Sequence, residues 1–159
     1  MSMSTIRPLT AADIPLAVAW VIDQPLWRRY RLRFSPLCAL MERALAQAHI
    51  LLVADVADDR ACGLAWCMPE GAFGRSAYLR LIGVREDRTG QGIGAALLGR
   101  TESLAARHCR DLFLLVSDFN VDAQRFYRRH GYEQVGAIPG YVLPDVTELL
   151  FHKRLPTAS

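Results

Sequence analysis

Three glycines at alternate positions, Gly90, Gly92 and Gly94, stand in the run Gly90-Gln91-Gly92-Ile93-Gly94-Ala95, between an apolar stretch and a helical pattern. Glycine allows positive φ and lets a backbone approach a ligand closely. The helix that follows presents unpaired N–H groups and the positive end of its dipole, which together stabilise an anion. A pyrophosphate is the guest this turn suits best. A tight turn that uses glycine for geometry alone is the plainer alternative, although one glycine would suffice for it. Further on, Asn120 and Tyr127 are seven residues apart. That is about two helical turns, so a helix reaching back to Asn120 carries both toward one cleft. A phenol with a pKa of about 10 keeps its proton at neutral pH and suits the protonation of a leaving group. Core packing on an amphipathic helix is the alternative for Phe126-Tyr127, and it is the expectation for Phe126.

Other phosphate chemistries fit less well. No Gly-Lys-Ser/Thr follows the turn, so it is not a Walker loop. Gly90, Gly92 and Ala95 match the dinucleotide pattern G-x-G-x-x-A, and Asp118 ends the next strand where a ribose-binding acid would sit. Against a nicotinamide site, five residues separate Val84 from Gly90, and only one strand–helix–strand crossover is available. A chain of 159 residues also leaves no room for a substrate domain.

Elements on either side must position these residues. Residues 5–7 read as a strand closed by Pro8, and 11–22 as a helix with Thr10 at its N-cap. Residues 24–35 fit neither period, and Ser35-Pro36 opens a helix to about Ala48. Apolar runs over 49–56 and 62–68, separated by the acidic turn 57–61, predict a hairpin, and 77–84 is a third strand. The long helix after the glycines leads to a strand over 112–116. Asp122 then caps a helix ending at Gly131, and strands over 132–137 and 147–151 close the chain. The order β-α-α-β-β-β-α-β-α-β-β predicts one α/β domain over residues 1–159, with a mixed sheet of six or seven strands, mostly antiparallel, and helices on both faces.

Composition agrees with one soluble domain. Of the residues, 52% are hydrophobic and 22% charged, with net charge +3. No apolar run approaches the roughly 18 residues of a bilayer span, and the N-terminus lacks the pattern of a secretion signal. A cytoplasmic protein without membrane or nucleic-acid partners is expected. The four cysteines and four histidines show no metal-ligand spacing, so no metal is expected and the thiols are read as reduced. Of 19 basic residues only Lys153 is lysine; arginine's planar fork favours phosphate and carboxylate, and biased composition is the plainer account.

The stretch from Ile82 through Val84 to the glycine turn resembles motif A of the GNAT superfamily of N-acetyltransferases. Asn120-Val-Asp-Ala-Gln-Arg-Phe-Tyr-Arg-Arg-His-Gly-Tyr132 resembles its second signature, N-x-x-A-x-x-F-Y-x-x-x-G-F/Y, and the element order is similar from end to end. The resemblance implies acetyl transfer from acetyl-CoA to an amine by direct attack in a ternary complex. It assigns Ile82 and Val84 to the splayed strand that pairs with pantetheine, and Thr89 with Gly90, Gln91, Gly92, Ile93, Gly94 and Ala95 to the pyrophosphate loop. Asn120 would contact pantetheine or acceptor, and Tyr127 would be the general acid. Relatives are often dimers, which makes a homodimer an expected assembly.

Two positions depart from the family. Thr89 stands where arginine or glutamine is usual. Arg80 stands where many relatives carry a glutamate that positions a water to deprotonate the amine, and a cation is no base. Alternation puts Arg80 on the face of Ile82 and Val84 unless a bulge intervenes. Arg80 is therefore expected to bind an anionic group of the acceptor or to join an ion pair, with Glu70, Asp118 or bulk water left as bases. Trp27 and Tyr30, within the arginine-rich stretch Trp27–Phe34, are expected to border the acceptor, and the turn 140–144 to close its other side. Without a base, a non-catalytic coenzyme A-binding sensor is the alternative function.

Overall fold

The computed structural model describes residues 3–157. Its strands are β1 (Ser4–Pro8), β2 (Ile50–Val56), β3 (Asp59–Ala72), β4 (Ser76–Val84), β5 (Asp111–Ser117), β6 (Glu133–Pro139) and β7 (Thr147–Arg154). They form one seven-stranded sheet in the order β1-β2-β3-β4-β5-β7-β6. Every neighbouring pair is antiparallel except β4 and β5, so the mixed, mostly antiparallel sheet expected from the sequence is present. The helices are α1 (Asp13–Val21), α2 (Pro25–Arg29), α3 (Phe34–Ala46), α4 (Ile93–Ala105) and α5 (Val121–Arg129). None of them is long and apolar enough to cross a membrane.

Strand alternation sends side chains to two cores. On one face, Leu51 and Val53 of β2 pack with Ile14 and Val18 of α1 and Leu37 and Met41 of α3. On the other, Leu52 and Ala54 meet Ile93 and Leu97 of α4. Side chains of this kind stabilise the fold by about 1.5–3 kcal/mol each when fully buried. Gly63 of β3 sets the closeness of α4: a Cβ there would lie 2.9 Å from Ile93 Cγ2.

Local chemistry moves several boundaries. Helix α1 starts at Asp13, whose carboxylate accepts from the Thr10 N–H at 2.8 Å and the Thr10 hydroxyl at 2.9 Å. The capping expected of Thr10 is thus reversed, and the acid also binds Arg7 and Arg60. Residues 24–35 hide α2, whose five residues are too few to show a period of 3.6. Helix α3 starts at Phe34 with no side-chain cap, so Ser35 and Pro36 lie inside its first turn. The hairpin turn is shorter than the acidic segment, because β3 already begins at Asp59.

The feature that positions the site is a break between the two parallel strands. β4 and β5 pair only over Ala77–Leu79 and Leu112–Leu114. Beyond that point they diverge. In β4, Leu79 pairs with Cys67 and Leu81 with Trp66, leaving Arg80 as one extra residue. Such a bulge bends its strand and raises its twist, and here it turns β4 away from β5. It also corrects the expected alternation. Leu81 and the ring under Arg80 belong to the α1/α3 core, whereas Leu79 and Ile82 pack on the α4/α5 side. Arg80 and Ile82 therefore do not share a face.

Candidate active site

A cleft of about 180 Å³ opens through the sheet where β4 and β5 part, reached by Arg80 and Ile82 from β4 and by Ser117 from β5. Arg85 N–H donates to Cys62 O at 2.8 Å, toward β3. In an antiparallel ladder both backbone groups of a residue point the same way and alternate along the strand, so those of Ile82 and Val84 point into the gap. One of them is already claimed: Gln24 Nε2 donates to Val84 O at 2.8 Å. Ile82 N–H and C=O and Val84 N–H are what the edge offers to an extended ligand.

The glycine turn lies at one end of this edge, against a groove of about 420 Å³ shared with α5. Gly90 and Gly92 have φ of 74° and 79°, and no heavy atom lies within 4 Å of a Cβ at either. Backbone conformation, not crowding, calls for glycine there. Gly92 is the N-cap of α4, and Ala96 N–H is the first to bond back to it, at 3.1 Å. The N–H groups of Ile93, Gly94 and Ala95 are left for an anion. Ile93 buries its side chain and contributes only backbone, while Gln91 is exposed and does not line the groove. Thr89 spends its hydroxyl proton on Glu86 O at 2.9 Å, and Arg88 pairs with Asp59 at 2.8 Å. Sequence reasoning missed Arg129 and His130, which α5 brings to the same groove. Their position one helix end away from the motif gave no signal in the pattern.

Helix α5 carries two of the expected residues into the cleft. Asn120 is its N-cap, with Oδ1 accepting from Ala123 N–H at 3.3 Å, a role the sequence had given to Asp122. The helix therefore does reach back to Asn120, and both Asn120 and Tyr127 line the cleft. Tyr127 is 7% exposed and held edge-on by Phe126 and Tyr132, with centroids at 5.3 and 5.6 Å. Its hydroxyl makes no hydrogen bond to a described residue, yet it is not sealed off. Burial pushes this phenol well above its ordinary pKa, with the neighbouring Tyr78 adding to the rise.

The opposite wall holds a carboxylate that sequence reasoning did not find. Glu148 of β7 is 4% exposed and sits beside Ser117 in register. Tyr30, the C-cap of α2, donates its hydroxyl proton to Glu148 Oε1 and also bonds to Ser117 Oγ. Burial, and then the Glu148 bond, push the Tyr30 phenol up to about 12. Glu148 Oε2 has no partner among the described residues and is open to the cleft. Only the register of the last strand brings this acid to the site, and no motif marks it. The bases considered from sequence lie elsewhere: Asp118 accepts from Thr147 N–H at 3.2 Å, and Glu70 lies in a separate depression beside His49.

The acceptor-side residues divide by type. Trp27 and Tyr30 line the cleft with Leu26, and Val142 of the 140–144 turn faces them. The arginines of the same stretch turn outward. Arg28 pairs with Asp23, and Arg29 stacks 3.8 Å from the Phe119 ring centroid, near Asp145. Arg80 forms no ion pair among the described residues; its guanidinium lies 4.4 Å from the centroid of the Trp66 ring. The cysteines are unpaired, none lines the cleft, and burial holds the Cys67 thiol up at about 12.

The sequence model described as "Acetyltransferase (GNAT) family" matches residues 17–132. A mycothiol acetyltransferase of Clavibacter michiganensis subsp. michiganensis is 37% identical over 84 residues, which is 52% of this chain and 26% of that protein. The match thus spans about a quarter of that relative's length. The fold superposes on the ribosomal-protein-S18-alanine N-acetyltransferase of Escherichia coli with TM-score 0.80 and 19% identity, covering 99% of this chain and 97% of that one. It also superposes on yncA of Salmonella typhimurium, solved with acetyl-CoA, with TM-score 0.79 and 17% identity, covering 99% and 97%.

Proposed function

The chain belongs to the GNAT family of acetyltransferases, and we propose that it moves an acetyl group from acetyl-CoA to an amine by direct attack in the cleft between β4 and β5. The observation that carries this reading is the pair formed by Tyr127 and Glu148. They reach one cleft from opposite faces of the sheet, each with an oxygen that no described residue claims. A group that can donate and a group that can accept are what an amide-forming transfer needs.

The residues present fit acetyl-CoA. The N–H groups of Ile93, Gly94 and Ala95 suit its pyrophosphate, with Arg129 and His130 in the same groove. The free backbone edge at Ile82 and Val84 suits its pantetheine arm, and Asn120 lines the same passage. When bound, the thioester supplies the activated acetyl carbon. Glu148 takes the proton of the entering ammonium and passes it to water. The amine nitrogen then bonds to the acetyl carbon as the C–S bond breaks. Tyr127 gives its Oη proton to the departing sulfur and is restored by the proton that nitrogen sheds as the amide forms. No cysteine lines the cleft, and burial raises the Cys67 thiol, the one paired with cleft-lining Leu79, which supports direct attack over an acyl-cysteine route.

Glu148 also weighs against a non-catalytic coenzyme A sensor, since that alternative rested on the missing base. One domain, a cytoplasmic location and the absence of nucleic-acid partners belong to the same proposal. Calorimetric titration with acetyl-CoA, with NAD and ATP as controls, tests the binding half. Saturable binding of acetyl-CoA alone is expected, and a folded sample that binds none of the three contradicts it.

A further inference from the structure

We infer that the acceptor carries a carboxylate beside its amine, as a free α-amino acid does, with Glu148 receiving the ammonium and Arg80 the carboxylate. The inference rests on the transferase reading above and specifies the substrate class of the same cleft.

Its basis is a pair of opposite charges that share a cleft without neutralising each other. Arg80 and Glu148 both line it, and no ion pair joins them or ties either to another described residue. Both lie near the Tyr78 hydroxyl of the same cleft: burial raises that phenol most, Arg80 opposes the rise and Glu148 adds to it. The fold fixes each of them. The bulge makes Arg80 the extra residue of β4, and Trp66 supports its guanidinium from below, itself anchored by donating to His49 Nδ1 at 3.1 Å. Tyr30, itself bonded to Ser117 Oγ, fixes Glu148. Two unpaired opposite charges held at fixed places are complementary to a zwitterion. A simple amine would leave Arg80 without an anionic partner, and a peptide N-terminus lacks the anion next to its amine. Leu26, Trp27 and Val142 make the remaining wall apolar or aromatic, which suits an amino acid with a side chain of that kind.

Matched pairs that differ only in the carboxylate test this: L-phenylalanine against phenethylamine and L-leucine against 3-methylbutylamine, read by coenzyme A release at saturating acetyl-CoA. The amino acid of each pair should show kcat/KM larger by about ten- to a hundredfold, the range for a hydrogen-bonded charge pair. Arg80→Met should bring that ratio close to one, while Arg80→Lys restores part of it. Equal rates for both members of a pair, or faster turnover of a peptide with a free N-terminus, overturn the inference and leave the transferase reading standing. No release with any amine, from a protein that binds acetyl-CoA, overturns both.

Discussion

The Tyr30 hydroxyl donates to the Glu148 carboxylate across 118 residues of sequence, joining the short helix α2 to the last strand at the mouth of the cleft. The bond sets the direction of the carboxylate and leaves Oε2 free toward the acceptor. Tyr30→Phe should therefore lower kcat/KM for the acceptor about tenfold or more, the worth of a hydrogen bond to a charged group. The affinity for acetyl-CoA should stay within about twofold of the parent by calorimetry, because the glycine turn lies at the far end of β4. Equal loss of both would make Tyr30 a structural strut only.

Tyr127→Phe removes an unclaimed phenol of the cleft that burial has raised, and kcat should fall about 10²-fold or more. The pH profile carries a sign. A general acid works while protonated, and burial raises the pKa of Tyr127. The alkaline loss of kcat should accordingly lie above about pH 10, where an unperturbed phenol ionises. A fall of kcat that begins near pH 8 would assign the acid to another group.

Gly92→Ala places a Cβ where φ is 79°. The space is open, so the cost is backbone strain of about 1–2 kcal/mol. The loop is expected to relax toward negative φ and carry the Ile93 and Gly94 N–H groups off target. Weaker acetyl-CoA binding with little change in the acceptor KM is expected, measured by titration and by steady-state kinetics.

Asp13 is fully buried and accepts from Arg7, Arg60 and Thr10, with the Arg7 bonds the largest cause holding its carboxyl well below the usual range. A depressed folded-state pKa stabilises the fold above the unfolded value of about 3.9, and that stability is lost as pH falls further. Thermal melting should drop steeply below about pH 4. Asp13→Ala should cost about 1–3 kcal/mol at neutral pH by removing the buried acceptor of the Arg7, Arg60 and Thr10 bonds, and should flatten the acid limb. A melting temperature independent of pH between 5 and 2 would refute this account of α1.

Much of the fold was legible in the sequence because its elements are periodic and long: β2, β3 and α4 each write their burial into two or more turns or pleats. The helix α2 was not, since its five residues show no period, and α3 gave a false start because Ser35-Pro36 mimics a cap. In the site, Gly90, Gly92, Asn120 and Tyr127 were readable because spacing along one helix or turn fixes their neighbours. Glu148 was not. Its place depends on β7 inserting between β5 and β6 and on the register that sets it opposite Ser117, which are long-range facts with no local pattern. The bulge at Arg80 was foreseen only as a possibility, because an extra residue in one strand is visible only against its partner.

The central claim is that Glu148 accepts the proton of the amine. It is tested most directly by the rate of coenzyme A release from Glu148→Gln at saturating acetyl-CoA and amine, with acetyl-CoA affinity measured on the same sample. Glutamine keeps the size and the bond from Tyr30 but cannot take the proton at neutral pH. A rate lower by about 10²-fold or more with unchanged acetyl-CoA binding is the expected result. A rate equal to that of the parent would contradict the assignment and leave deprotonation to water.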